Sequence, residues 1–164
     1  MNTGQMLLTI GAMILLSTLI LRVNNNFSSN TSTVYDSKFA ILGTSIGASV
    51  IEEAMGKAFD EGTADSSATG LTDFTAPHKL GPETGEVYPS FNDFDDYNGY
   101  IKIDSTMPSA VFKISCAVTY VDPSTPNVTS SSATWTKKIS VIVTSISMKD
   151  TVRLSSLFSY WYFN

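Results

Sequence analysis

The sequence predicts an α+β protein, with a long N-terminal α-helix packed on a small antiparallel β-sheet. Three observations carry that expectation. From Met6 to Leu21 only Thr9, Gly11, Ser17 and Thr18 interrupt an apolar run, and the first charged side chain is Arg22. No proline breaks the next forty residues, where larger apolar side chains recur at helical spacing. Beyond residue 99 the pattern changes to the alternation of half-buried strands.

The opening segment, residues 1–24, predicts a helix apolar on every side. Met1 to Leu21 at ~1.5 Å per residue gives roughly 31 Å, enough to cross a hydrocarbon core. A cleaved secretory signal fits poorly, because no Lys or Arg precedes the run and no small-x-small cleavage site precedes Arg22. A buried helix of a soluble fold rarely begins a chain with all its faces apolar. The segment therefore reads as a retained membrane or assembly helix.

Residues 25–62 continue it as an amphipathic helix. Val23, Phe27, Val34, Ile41, Leu42, Ile46, Val50 and Met55 fall mostly three, four or seven apart, with Asn, Ser and Thr between them. Asn24 to Asn26 are poor helix formers, and Gly62 is the expected stop. The whole would be about sixty residues, near 90 Å. Residues 63–99, rich in Gly, Pro, Asp, Ser and Thr, predict an ordered loop region pinned by Leu71, Phe74, Leu80, Val87, Tyr88, Phe91 and Phe94. Residues 100–164 predict the sheet. Its strands are YIKID, AVFKISCAVTYV with Phe112, Ile114, Cys116 and Val118 on one face, ATWTKKISVIVTSI with Trp135, Ile139, Val141 and Val143, and a final VRLSSLFSYWY. Of the closing aromatics Phe158, Tyr160, Trp161, Tyr162 and Phe163, alternate members would pack inward and the rest would serve contacts between subunits.

Composition narrows the function. A net charge of −5 argues against nucleic acid as the main partner. A lone cysteine, Cys116, excludes an intrachain disulfide, and in mid-strand it reads as a buried inert thiol. His78 reads as a surface loop residue. Sequons occur at Asn26, Asn30 and Asn127. No phosphate loop or nucleophile motif appears, so no catalytic residue, enzymatic activity or organic cofactor is expected. Asp93, Asp95, Asp96 and Asn98, with Asp104 beyond them, form a dense set of oxygen ligands that would suit Ca²⁺. Their spacing is not that of an EF-hand, and a solvated turn with Asp and Asn capping backbone groups explains the same residues.

An uncharged N-terminal helix, an amphipathic continuation, a variable loop and a small antiparallel sheet together resemble the type IV pilin family. The resemblance covers the architecture of the whole chain, but in sequence it is strong only from Met1 to about Arg22. FDDYNGY resembles the Asp-rich turn of some haemagglutinin-pilus proteins. The resemblance to type IV pilins implies a mature chain, cut from a short basic leader and methylated on the N-terminus of Met1. It further implies a helical homopolymer whose core is built from Met1, Gln5, Met6, Leu7, Leu8, Ile10, Met13, Ile14, Leu15, Leu16, Leu19, Ile20 and Leu21. The subunit would sit in the inner membrane until assembly machinery moves it into a filament on the cell surface, with cell adhesion as the family's usual role. Gln5 departs from the family, which places there a Glu thought to pair with a neighbour's N-terminal amine. A glutamine accepts a hydrogen bond from that amine without a full charge. Two other readings stand beside the pilin: a pseudopilin of a type II-like secretion system, and a membrane-anchored module that binds a surface.

Overall fold

The computed structural model describes residues 2–160, and its architecture is α+β as expected. Helix α1 spans Thr3–Met55, and the antiparallel sheet consists of β1 (Ile101–Asp104), β2 (Phe112–Tyr120), β3 (Thr136–Ser145) and β4 (Val152–Ser159) in the spatial order β1-β2-β3-β4. The chain divides into two compact units, Met1–Lys38 and Phe39–Asn164. The first holds the N-terminal part of α1. The second holds its remainder, the loop region and the sheet.

In the second unit the sheet buries one face. Phe112, Ile114, Cys116, Val118 and Tyr120 of β2 alternate inward, opposite Ser145, Val143, Val141, Ile139 and Lys137 of β3. Each fully buried aliphatic or aromatic side chain contributes on the order of 1.5–3 kcal/mol. The helix meets this face largely through small residues: its buried positions are Phe39, Gly43, Gly47 and Ala54. A Cβ on Gly47 would come within 2.8 Å of Leu154 Cδ1 and 3.3 Å of Val143 Cγ2, so glycine sets how closely helix and sheet approach.

This corrects the expected helical face. Leu42, Ile46, Val50 and Met55 pack against the core only in part, and Val23, Phe27, Val34 and Ile41 are exposed. The helix also ends at Met55 rather than at Gly62. The residues that follow are drawn into pairing with the later loop: Ala58 bridges Asp93, with Ala58 N donating to Asn92 O and Phe94 N to Ala58 O. Gly62 is required for another reason, since a Cβ there would lie 2.1 Å from the Asp73 carbonyl oxygen.

The loop region is ordered by four short 3₁₀ turns, Glu61–Thr63, Leu71–Asp73, Pro77–Lys79 and Asp95–Tyr97. Of the expected pins, Phe74, Phe91 and Phe94 are buried and Leu80 is half-buried, while Leu71, Val87 and Tyr88 are exposed. Phe59 and Tyr97 complete the set. Phe59 packs at a tilt against Phe74 at 5.0 Å and Phe158 at 5.7 Å, and Phe94 meets Phe158 at 4.9 Å. Trp135 meets Phe74 edge-on at 5.1 Å. Phe158 thus points inward as alternation requires, and the Tyr160 hydroxyl accepts a hydrogen bond from Ala68 N. Trp161, Tyr162 and Phe163 lie outside the described residues.

Candidate functional site

Two places in the molecule hold the residues that the sequence singled out. The first is the N-terminal part of α1. Met6, Leu7, Leu8, Ile10, Met13, Ile14, Leu15, Leu16, Leu19, Ile20 and Leu21 are all exposed, Leu8 to 76 %. Gln5 is exposed as well, with its backbone N–H donating to Asn2 O, and Met1 lies outside the described residues. The helix is long and apolar enough to cross a membrane.

The polar interruptions in this surface are satisfied within the helix. The Thr9 hydroxyl donates to Met6 O at 2.9 Å, Ser17 to Met13 O at 2.8 Å and Thr18 to Leu15 O at 2.8 Å. Farther along, Thr31 donates to Phe27 O, Thr33 to Ser29 O and Ser37 to Thr33 O. A hydroxyl already bonded to its own helix loses little when water is removed, so these residues suit a dry environment of lipid or packed helices.

The second place is the Asp-rich turn, and here the structure corrects the expectation of a solvated turn. Asp93, Asp95 and Asp96 are fully buried. The capping role is present: Asp93 Oδ1 accepts from Asp95 N at 2.7 Å and Asp96 N at 3.2 Å, and Asp96 Oδ2 accepts from Asn92 N and Asp93 N. The four residues first grouped as metal ligands do not converge, however. Asn98 is committed to the backbone, its Nδ2 donating to Leu80 O and its Oδ1 accepting from Val118 N. Asp104 is held apart at the end of β1 by Thr106, whose hydroxyl and N–H both donate to it.

Asp95 faces Lys137. This lysine is fully buried on the inner face of β3, in phase with Ile139, Val141 and Val143. Its Nζ pairs with Asp95 Oδ1, with Asp60 Oδ2 at 2.7 Å and with Phe59 O at 2.8 Å, and lies 4.8 Å and 5.3 Å from the Phe59 and Tyr120 ring centroids. Asp60 gathers further donors: Thr75 N and Oγ1, Gly62 N and the Tyr120 hydroxyl. Burial alone would push the Asp60 carboxyl up, but the Lys137 charge and these hydrogen bonds outweigh it and hold Asp60 below the ordinary value. For Asp95 burial wins over Lys137, and its carboxyl is raised.

Asp93 and Asp96 also meet glutamates from elsewhere in the chain. One carboxylate oxygen each from Glu61, Glu83 and Asp93 lies within 4.8 Å of the others, and so it is for Glu83, Glu86 and Asp96. Burial, then the charges of Asp95 and Asp96, push Asp93 up to about 9. Glu83, although exposed at the rim, is pushed up to about 7 by partial burial, then by a hydrogen bond with Glu86 and the charges of Asp96 and Glu61. Asp96 is raised by burial against its two backbone hydrogen bonds.

Sequence reasoning missed Lys137, Asp60, Glu61, Glu83 and Glu86. For Lys137 the signal was its place in the inward phase of β3; for the others no local pattern exists. Cys116 is buried, and its thiol is pushed up to about 12, as the inert reading requires. His78 is exposed. No protein-family model, curated protein or solved structure matches the chain.

Proposed function

We propose that this chain is a structural subunit, a pilin, of a type IV pilus-like extracellular filament that polymerises through its N-terminal helix. The subunit is held in the inner membrane before assembly and then passes into a helical homopolymer with the help of assembly machinery. The observation that carries this reading is the extent of exposed apolar surface on α1. A membrane anchor of about twenty residues accounts for the helix as far as Arg22. Phe27 and Val34 lie beyond it, 72 % and 67 % exposed, so an anchor leaves them facing water. A bundle of identical helices covers both stretches, and the hydroxyls of Thr9, Ser17, Thr18, Thr31, Thr33 and Ser37, bonded to their own helix, lower the cost of desolvating it.

The reaction is assembly, not chemistry. At ~25 cal/mol per Å², a few hundred Å² of apolar helix buried against each neighbour contributes several kcal/mol, repeated along the polymer.

The test separates a filament core from an anchor. Leu8→Lys, Ile14→Lys or Leu16→Lys places a charge where each residue meets lipid or a neighbour, at a cost of about 2.5–3.5 kcal/mol in a bilayer centre. A variant with the order of residues 6–21 shuffled keeps total hydrophobicity but not side-chain complementarity. The filament reading expects both kinds of variant to lose filaments, the shuffled one while still entering the membrane. Filaments that survive the shuffle would sink it.

A further inference from the structure

The acidic residues beside the Asp-rich turn have a common feature that capping does not explain. Asp93 and Asp96 are fully buried, yet Asp93 Oδ2 and Asp96 Oδ1 have no hydrogen-bond partner. Buried carboxylate oxygens are ordinarily bonded, because leaving one unmet costs its full desolvation. Apart from the backbone N–H groups on their other oxygens, both residues sit among further carboxylates. Glu83 is shared by the two clusters, with Glu61 and Asp93 on one side and Glu86 and Asp96 on the other. Among the described residues none of these five acids is in an ion pair, since Lys137 pairs with Asp60 and Asp95.

The backbone is arranged to bring the acids together. Gly85, with a φ of +94°, allows a tight turn in which Glu86 N donates to Glu83 O. Glu83 and Glu86 thereby project from one turn. Asn92 Nδ2 donates to Glu61 Oε2 at 3.0 Å and holds that glutamate beside the Asp turn.

We propose that Glu61, Glu83, Glu86, Asp93 and Asp96 form a binding site for a divalent cation, specifically Ca²⁺. The donor set is entirely carboxylate oxygen, the preference of a hard cation, and it lacks the nitrogen or sulfur ligands of zinc. Ca²⁺ bonds oxygen at about 2.3–2.6 Å, so two ligands of one ion stand at most about 5 Å apart, a limit that the Glu61, Glu83 and Asp93 set and the Glu83, Glu86 and Asp96 set each meet. Mg²⁺ requires a tighter octahedron and keeps its waters, which suits five side chains from separate turns less well. The ion would supply the partner that Asp93 Oδ2 and Asp96 Oδ1 lack. It would also clamp the 83–86 turn to residues 92–96. The site stands whether or not α1 polymerises.

The experiment is a calorimetric titration of CaCl₂ into the chelator-stripped full-length chain in non-ionic detergent, repeated with MgCl₂. The expected result is saturable Ca²⁺ binding with a Kd of about 1 mM or tighter, the range of extracellular Ca²⁺ modules, and clearly weaker Mg²⁺ binding. Glu83→Gln should weaken Ca²⁺ binding at least tenfold. Asp122→Asn, at an exposed turn outside the cluster, should leave it unchanged. Because Glu83 is at the exposed rim, its variant should keep the wild-type circular dichroism and melting temperature in chelator. Absence of saturable Ca²⁺ binding in the wild type would overturn the proposal. So would a Glu83→Gln chain that binds as the wild type does, or Mg²⁺ binding as tight as Ca²⁺.

Discussion

Replacing Lys137 with methionine keeps most of the side-chain volume and removes the charge at the centre of the buried network. The damage falls unevenly on its two carboxylates. Asp60 keeps the Thr75 N–H and hydroxyl, the Gly62 N–H and the Tyr120 hydroxyl. Asp95 has only Lys137 at Oδ1, and its Oδ2 has no partner. Breaking a buried pair from one side costs about 3–5 kcal/mol. Protonation caps the loss: lifting a carboxyl from its ordinary 3.8 to neutrality costs about 1.4 kcal/mol per pH unit, so the deficit is at most about 4 kcal/mol at pH 7, and less because burial already raises Asp95 in the native chain. The two figures agree, and together they are a large share of the ~5–15 kcal/mol that holds a domain folded. The second figure also fixes a pH dependence. Without Lys137 the folded Asp95 carboxyl is raised further than in the native chain, so the variant's deficit is smallest below the unfolded value and grows as pH rises. The deficit should therefore shrink between pH 7 and pH 5, to at most about 2 kcal/mol at the lower pH. Urea unfolding of the full chain in detergent and chelator, followed by tryptophan fluorescence, measures it. Asp95→Asn in the Lys137→Met background should restore at least about 2 kcal/mol, because an amide is buried at far lower cost than a charge. A Lys137→Met deficit below about 1 kcal/mol, or one that is the same at pH 7 and pH 5, would refute the reasoning.

Gly62→Ala should destabilise the fold by about 1–3 kcal/mol, read from the same urea transitions, because the new methyl meets a backbone carbonyl that cannot swing aside. Cys116 should resist a thiol reagent at pH 8 in the native chain and react at once when unfolded, as a colorimetric thiol assay would record. Its thiol is raised from 9.0 to about 12, so this group's contribution is intact below pH 9 and declines as the pH climbs towards 12, where alkaline unfolding should show it.

The strands were legible because each alternates over a face that the core requires. Phe112, Ile114, Cys116 and Val118 are buried on one side of β2, and Ile139, Val141 and Val143 answer them from β3. The same alternation contained Lys137, but a Lys-Lys pair reads as solvent-facing unless its phase is followed. The helix was legible in kind but not in its working face. Packing chose Gly43, Gly47 and Ala54, whose lack of bulk carries no periodic signal, over the larger residues beside them. Its end was misplaced because residues 57–60 obey a distant partner, the chain at Asn92 to Phe94, instead of local propensity. The acidic cluster was half legible. Asp93 and Asp96 stand close together in the sequence, but Glu61, Glu83 and Glu86 reach them only through the fold.

The central claim is that many copies of this chain bundle through α1 into a surface filament. The most direct test is electron microscopy of material sheared from expressing cells, with the subunit identified by mass spectrometry of the same fraction. The account predicts filaments built of this chain, lost from the Leu16→Lys strain. Recovery of the protein in membranes alone, with none in the sheared fraction, would contradict it.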